Sequence, residues 1–179
     1  MSEATTSQHV IVEFAGEYRF LSNFWPAEVT FDGVKYPTVE HAYQAAKSVD
    51  ADARELIASS PTPGGAKRAG QAITLRDDWE VIKVPVMAGL VAEKFATHPE
   101  LTTLLLNTHG MSIVEGNSWH DTFWGCCSCE EHDGAGENHL GTILMSVRST
   151  IDHMRTPAVP RMPTGDGRGE SASSKGWSR

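Results

Sequence analysis

A chain of 179 residues with 40% hydrophobic side chains and five Trp is long enough to form one globular domain with a buried core. Its net charge of -8 argues against a protein that binds nucleic acid without sequence preference, because such proteins need basic surface to neutralise phosphates. No hydrophobic run approaches the length of a membrane span and no signal-peptide pattern begins the sequence. We therefore expect a cytoplasmic protein with no membrane partner.

The two ends of the sequence differ in composition from the rest. Residues 1–8 are polar, and residues 156–179 are dominated by Pro, Gly, Ser and charged side chains. Such segments bury too little apolar surface to offset the entropy lost on ordering, so we predict a disordered N-terminus and a disordered tail. A single domain is predicted over residues 9–155, with a first strand within residues 9–14.

The sequence then predicts a hairpin followed directly by a helix. Val29–Phe31 and Val34–Tyr36 flank Asp32-Gly33, a dipeptide that strongly favours a tight turn between two strands. Thr38 is a preferred residue type for a helix N-cap. Apolar residues recur with the spacing of a buried helical face at positions 39, 42, 43 and 46.

A polar stripe lies beside that buried face. Glu40, Gln44 and Lys47 are spaced so that their side chains align over two helical turns. The stripe is either a solvated surface with an ion pair or part of a ligand site. The segment before the helix favours the ligand site, because it concentrates polar and aromatic residues that folding alone does not require: Arg19, Ser22, Asn23 and Phe24.

A Gly-rich stretch over residues 64–70 is a second candidate site. Asp50 or Asp52 caps the helix before it, and Thr62 is a possible cap of the helix that follows. A Gly-rich turn into a helix start offers backbone N–H groups to an anion, and Lys67 and Arg68 lie within this stretch. The alternative is a mobile surface turn with two solvated cations.

The next predicted helix runs from Trp79 to about Phe95. Asp77 or Asp78 caps it, and Pro85 kinks it. Trp79 belongs to the core or offers a flat surface on which a base stacks. Arg76, just upstream, is placed to serve the same ligand.

A loop-like cluster follows a strand-like run that ends at Glu115. Residues 116–125 contain a carboxylate, a His, two Trp and a closing Gly125, and loops held by a scaffold commonly carry ligand chemistry. Asn138 is then the predicted cap of a last helix, whose buried stripe includes Leu140 and Leu144.

The three cysteines lie within residues 126–129, which does not indicate a disulfide framework. Cys126 and Cys129 have the spacing of half a zinc site, but the gaps to the His residues that would complete it are unusual: His120, His132 and His139. This spacing favours a variable loop with incidental thiols, and we predict neither a metal nor a cofactor.

Several of these motifs resemble the NADAR family, which has the YbiA-like fold, in the family's order. They are FLSNFWP, DGVKYPTVEHAYQAAK, TPGGAKRAG, RDDWEVIKVPVM, LVAEKF, PELTTLLLNT, IVEGNSWHDTFWG and NHLGTILMSVR. The resemblance extends from about Val10 to Met154. It implies a single α+β domain, rich in helices, with a few short antiparallel strands, and no βαβ alternation indicates a Rossmann-type sheet.

The resemblance implies hydrolysis of an N-glycosidic bond between a ribose and a base-like nitrogen. Glu40 would be the principal catalytic carboxylate and Asp121 the second. The family's D-x-x-W-G element points to Asp121 and Trp124 in this sequence. The residues expected to bind substrate are Arg19, Ser22, Asn23, Phe24, Lys47, Lys67, Arg68, Arg76, Trp79, Glu115, Trp124, Gly125 and Asn138.

Several substrates and functions stay open. The resemblance favours release of ADP-ribose from ADP-ribosylated guanine, in a nucleotide or in DNA, without sequence-specific nucleic-acid binding. Ribosylated intermediates of riboflavin synthesis are the alternative substrates. The alternative functions are a non-catalytic module that binds ADP-ribose and a structural or metal-binding protein centred on the cysteine cluster. No protein partner is predicted.

Overall fold

A computed structural model describes residues 9–155, so the predicted disorder of residues 1–8 and 156–179 lies outside the described residues. Within that range the helices and strands follow one another as β1 (Val10–Ile11), a 3₁₀ helix (Gly16–Leu21), β2 (Val29–Phe31), β3 (Val34–Tyr36), α1 (Val39–Ala46), α2 (Ala51–Ala58), α3 (Pro63–Gln71), α4 (Trp79–Thr97), α5 (Pro99–Asn107), β4 (Ser112–Ile113), β5 (Gly116–Asn117), β6 (Cys126–Cys127) and α6 (His139–Arg155). None of the helices in this range is long and apolar enough to cross a bilayer.

Helix α1 lies at the centre of the domain, and every one of its residues is buried. It packs against α2, α3 and α4, so its polar stripe is enclosed rather than solvated. The Thr38 hydroxyl caps it by accepting a hydrogen bond from the backbone N–H of His41 at 3.3 Å, as predicted. This burial makes α1 a rigid base for Glu40.

The strands form three separate pairs. β2 and β3 pair antiparallel, and Asp32 and Gly33 adopt the positive φ angles that their turn requires, +48° and +78°. The mixed helix-and-strand fold is confirmed, but the other two strand pairs within residues 9–155 are parallel: β1 pairs with β4, and β5 with β6. Parallel pairs join distant segments, which local sequence patterns do not indicate.

The predicted caps of α2 and α3 form as expected, whereas that of α4 does not. Asp50 accepts from the N–H of Asp52, and Thr62 accepts from the N–H of Gly65, each at 3.1 Å. Because Thr62 caps α3 directly, Gly64 and Gly65 lie in the first turn of that helix, not in a turn before it. Asp78 stands before α4 without capping it, since its carboxylate pairs with Arg76 at 2.5 Å.

A buried lysine joins α4 to the segment before the hairpin. The Lys94 side chain is 1% exposed, and its Nζ donates to the carbonyl oxygens of Phe20 at 2.6 Å and Ser22 at 2.9 Å. Burial lowers the pKa of Lys94 to about 7. These bonds hold the end of the 3₁₀ helix, and with it Ser22 and Asn23, against the core.

Candidate active site

A cavity of about 780 Å³ opens between α1, the first turns of α4 and the loop between β5 and α6. Most of the site residues expected from the sequence line it: Ser22, Asn23, Phe24, Glu40, Lys47, Lys67, Trp79, Glu115, Asp121 and Trp124. The segment after β1 closes one side with Glu13, Phe14 and Ala15. Two stretches that are far apart in sequence, around residues 22–47 and 115–124, therefore form one site.

Three expected cations lie outside the residues that line this cavity. Arg19 is exposed on the 3₁₀ helix, and Arg68 is exposed on α3. Arg76 directs its guanidinium to Asp78. As the protein stands, the cavity takes its positive charge from lysines and not from these arginines.

Gly125 and Asn138 act on the site through Glu115 instead of lining the cavity. Asn138 accepts a hydrogen bond from the N–H of Glu115 at 3.0 Å and donates to the carbonyl of Ile113 at 2.9 Å. Asn138 has a φ of +51° and uses its side chain in these bonds rather than in capping α6. A Cβ at Gly125 would collide with the carbonyl oxygen of Glu115. Both residues therefore contact Glu115 and do not line the cavity.

Glu40 lies in the first turn of α1 with 6% of its surface exposed. Burial raises the pKa of its carboxyl, whereas a hydrogen bond from Gln44 Nε2 to Oε1 at 2.8 Å and the charges of Lys67 and Lys47 act in the opposite direction. The backbone N–H of Glu40 also donates to the carbonyl of Asn23 at 3.1 Å. Glu40 is therefore fixed at its backbone and at one carboxylate oxygen.

Glu115 has a different environment from Glu40. Burial, reinforced by the negative charges of Asp121 and Glu40 and opposed by Lys67, raises its pKa to about 7. Its buried Oε2 has no hydrogen-bond partner within residues 9–155. A carboxyl group with this pKa is partly protonated at neutral pH, so Glu115 can donate a proton.

Asp121 organises the loop that forms one wall of the cavity. Its Oδ1 accepts hydrogen bonds from the N–H groups of Phe123 at 3.2 Å and Trp124 at 2.8 Å. The buried side chain of Asn117 binds the backbone of Asp121 on both sides, by accepting from its N–H and donating to its carbonyl. Sequence reasoning missed Asn117, because a structural amide in a loop has no distinctive spacing.

Aromatic rings form the floor and the rim of the cavity. Tyr43 contacts both Trp79 and Trp124, with ring centroids 5.1 and 5.5 Å apart. Trp79 is only 5% exposed, so it belongs mainly to the core. Phe24 and Trp119, exposed by 41% and 59%, are the accessible rings of the lining. These two are better placed to stack on a planar group than Trp79.

Lysines also line the cavity, and one of them was not expected from the sequence. Burial lowers the pKa of Lys47, and the nearby Glu40 opposes this effect. Lys83 was not predicted; its Nζ lies 4.1 Å from the centroid of the Phe123 ring and 2.6 Å from Glu80 Oε2. Its position four residues after Trp79, on the same face of α4, was the available signal.

Taken together, the lining supplies what an acid–base hydrolase needs for a charged, planar substrate. Two buried carboxyls with different environments suit proton donation and charge stabilisation, lysines suit phosphates, and exposed rings suit a base. The volume lies within the range of about 300–1,000 Å³ that is typical of small-molecule and cofactor sites. The fold and the site thus define a small single-domain enzyme with a preformed pocket.

Comparison with known proteins identifies the family. A family model described as the NADAR domain matches residues 12–152, and the chain belongs to this family. The N-glycosidase Npun_R5314 of Nostoc punctiforme is 41% identical over 142 residues, which cover 76% of this chain and 88% of that protein. The riboflavin biosynthesis protein PYRR of Zea mays, a chloroplastic protein, is 39% identical over 73% of this chain but only 23% of its own length.

The fold agrees with these similarities. The N-glycosidase YbiA of Escherichia coli is 37% identical over 80% of this chain and 90% of its own length. The NMR structure of E. coli YbiA matches with a TM-score of 0.69 and covers 83% of this chain and 90% of that one. By family, relatives and fold, the chain is an enzyme, a hydrolase of the N-glycosidase class.

Proposed function

We propose that this enzyme hydrolyses the bond between the anomeric carbon of a ribose and a base nitrogen, and that its substrate is ADP-ribosylated guanine in a nucleotide or in DNA. The observation that carries the proposal is a pair of carboxyls in one cavity with different neighbours. Glu40 has the Gln44 amide and two lysine charges beside it, whereas Glu115 has a buried oxygen without a hydrogen-bond partner among residues 9–155. Lysines and accessible rings beside them fit a diphosphate and a base.

The carboxyls divide the chemical work. Cleavage of an N-glycosidic bond develops positive charge on the ribose ring, as in other glycoside hydrolyses. Glu40, as a carboxylate, stabilises that charge and takes a proton from the attacking water. Glu115 donates its proton to the leaving nitrogen as the C–N bond breaks. Water oxygen bonds to the anomeric carbon, so the products are free ADP-ribose and the unmodified guanine nucleotide or DNA.

The remaining residues bind and orient the substrate. Lys47 and Lys67 contribute positive charge beside Glu40 and are suited to the diphosphate, with Lys83 at the rim. Phe24, Trp119 and Trp124 enclose the base. Asp121 remains our second catalytic carboxylate, through ribose hydroxyls or the attacking water, on a loop that its own hydrogen bonds make rigid.

Release of free ADP-ribose tests the proposal. Purified protein would be incubated with an ADP-ribosylated guanine nucleotide and with single-stranded DNA that carries the same base. Glu40→Gln is the active-site variant, and Glu55→Gln on the exposed face of α2 is its control. We expect release by the wild type and by Glu55→Gln but not by Glu40→Gln. Equal release by all three proteins would remove Glu40 from the mechanism.

Ribosylated intermediates of riboflavin synthesis are the second candidate substrates. Two relatives, one from Zea mays and one from Vibrio vulnificus, are named riboflavin biosynthesis proteins. Such a substrate offers the same ribose–nitrogen bond without a diphosphate, so Lys67→Ala would reduce its turnover less than that of ADP-ribosylated guanine. Turnover of these intermediates alone would replace ADP-ribosylated guanine in the proposal.

Two further expectations belong with this proposal. Tight binding of ADP-ribose without turnover of either substrate class would indicate a binding module instead of an enzyme for these substrates.

We also propose a cytoplasmic location, because Cys126, Cys127 and Cys129 are all free thiols, as reducing compartments maintain. Fractionation of the host cells with an antibody to the protein tests the location.

A further inference from the structure

A cluster of two cysteines and two histidines lies behind the wall of the active-site cavity. His120, Cys127, Cys129 and His132 each offer one ligand atom, and all of these atoms lie within 4.8 Å of one another. Cys129 Sγ is 3.0 Å from His132 Nδ1 and 3.5 Å from His120 Nδ1. The two Nδ1 atoms are 3.4 Å apart.

These separations match a tetrahedral metal site. With Zn–S near 2.3 Å and Zn–N near 2.1 Å, tetrahedral geometry places a sulfur about 3.6 Å from a nitrogen and two nitrogens about 3.4 Å apart. The distance of 3.5 Å from Cys129 Sγ to His120 Nδ1 and that of 3.4 Å between the two Nδ1 atoms lie close to these values, and the distance of 3.0 Å from Cys129 Sγ to His132 Nδ1 is shorter. The two thiolates would balance the charge of one divalent ion.

The backbone gathers the four ligands from two segments of the loop. Cys127 bonds through its N–H to Ala135 and through its carbonyl to the N–H of Gly134, which brings the two segments together. The N–H of His132 donates to the carbonyl of Cys129 at 3.1 Å, a tight turn that presents both side chains to one point. His120 completes the set with a φ of +66°, a conformation uncommon for residues other than Gly.

The pair with the usual zinc spacing is not the pair that the fold selects. Cys126 and Cys127 are adjacent in β6, so their side chains point in opposite directions. Cys127 is fully buried toward the cluster, whereas Cys126 Sγ lies 3.7 Å from the carbonyl of Gly136. The prediction of no metal rested on the spacing of Cys126 and Cys129, whereas the thiols that converge on the histidines are those of Cys127 and Cys129.

We propose that His120, Cys127, Cys129 and His132 bind one structural zinc ion. Four protein ligands close the site, which is the arrangement of structural and not of catalytic zinc. His120 precedes Asp121, so the ion would tie the start of the cavity wall to the turn at residues 129–132. The zinc therefore fixes the loop that carries Asp121 and Trp124.

Metal content tests the site directly. The full chain, freed of any affinity tag and purified without chelators, is analysed for zinc by mass spectrometry, and we expect about one ion per chain. Cys129→Ser should reduce zinc to background. Cys126→Ser is the matched control, since it removes a neighbouring thiol outside the cluster, and it should retain the ion.

Cobalt substitution keeps the test decisive if Cys129→Ser fails to fold. Wild-type protein stripped with a chelator and titrated with Co²⁺ should show the visible absorption of tetrahedral cobalt and a thiolate charge-transfer band. Zinc should displace the cobalt and raise the thermal midpoint of the stripped protein. Background zinc together with no tetrahedral cobalt spectrum would overturn the proposal, as would equal loss of metal in Cys126→Ser and Cys129→Ser.

Discussion

At the scale of single residues, Glu40 and Glu115 show how position assigns different tasks to one chemical group. Burial raises the pKa of Glu40, but the hydrogen bond from Gln44 and two lysine charges favour its carboxylate. Glu115 is buried with a partnerless oxygen among residues 9–155 and is affected by two other carboxyls, which favours its protonated form. The two groups thus meet the requirements of a base and an acid.

The Glu40→Gln substitution tests the first of these tasks. The amide keeps the shape of the side chain but removes its charge, so turnover should fall by roughly 10²-fold or more while ADP-ribose binding changes little. Initial rates and calorimetric titration with ADP-ribose measure the two effects. A loss of affinity as large as the loss of rate would indicate a binding role instead.

The pH dependence of the rate tests whether Glu115 acts as the acid. Glu115 must be protonated to act as an acid, and its pKa is raised to about 7, so kcat/KM should fall as the pH rises through 7. Glu115→Gln should lower the rate and remove this alkaline limb. An alkaline limb unchanged in Glu115→Gln would show that another group supplies the proton.

The same group affects stability in a defined direction. The folded-state pKa of Glu115 lies above the ordinary value of 4.5, so the folded protein binds more protons than the unfolded chain between pH 4.5 and 7. Its contribution to stability is therefore lost as the pH rises through 7. Urea unfolding should show a shallower decline over this interval in Glu115→Gln than in the wild type.

At the scale of elements, the local parts of the fold could be predicted and the pairing between distant parts could not. The β2–β3 hairpin, the Thr38 cap and the buried face of α1 follow from neighbouring residues. The parallel pairings and the cysteine–histidine cluster join segments that are separated in sequence. No short sequence pattern indicates that such segments associate. Asn138 and Gly125 belonged to recognisable motifs, but whether they contact the ligand or Glu115 depends on that packing.

Lys94 links α4 to the segment that carries Ser22. Lys94→Met would leave the carbonyls of Phe20 and Ser22 without this donor, so we expect a loss of roughly 2–3 kcal/mol in the free energy of unfolding and a raised KM. Denaturant unfolding and steady-state kinetics measure these changes. Glu93→Gln, one residue earlier in α4, should leave both unaltered. A raised KM without destabilisation would mean that Lys94 acts on the substrate.

Substitutions at two glycines test the close approach of Gly125 to the carbonyl oxygen of Glu115. Gly125→Ala should move Glu115 and sharply reduce turnover, because the new Cβ meets its carbonyl oxygen. Gly89→Ala is the control, since the space around this glycine in α4 is open and alanine favours a helix by roughly 0.5–1 kcal/mol. Thermal melting and initial rates compare the two variants. Full activity in Gly125→Ala would refute the positioning role.

At the scale of the whole molecule, the chain has a net charge of -8, whereas lysines are among the residues that line the cavity. A DNA strand approaches a like-charged surface, whereas an isolated nucleotide interacts mainly with the cavity. We therefore expect kcat/KM on ADP-ribosylated DNA to rise with moderate salt, because screening weakens the repulsion. On the nucleotide it should fall, since salt weakens the lysine contacts. A fall with salt on both substrates would contradict this effect of the net charge.

The parallel pairing of β1 with β4 also bears on how the site is assembled. Val10 pairs with Ser112, which lies far along the chain. The backbone N–H of Glu115 donates to the side chain of Asn138, which lies later still in the sequence. Contacts between residues this distant in sequence form late, because closing a long loop costs entropy before the contact forms. During synthesis, α1 with Glu40 would thus be complete well before Glu115 reaches its position in the same cavity. The enzyme should gain activity only after synthesis has passed α6, even where its first helices are already folded.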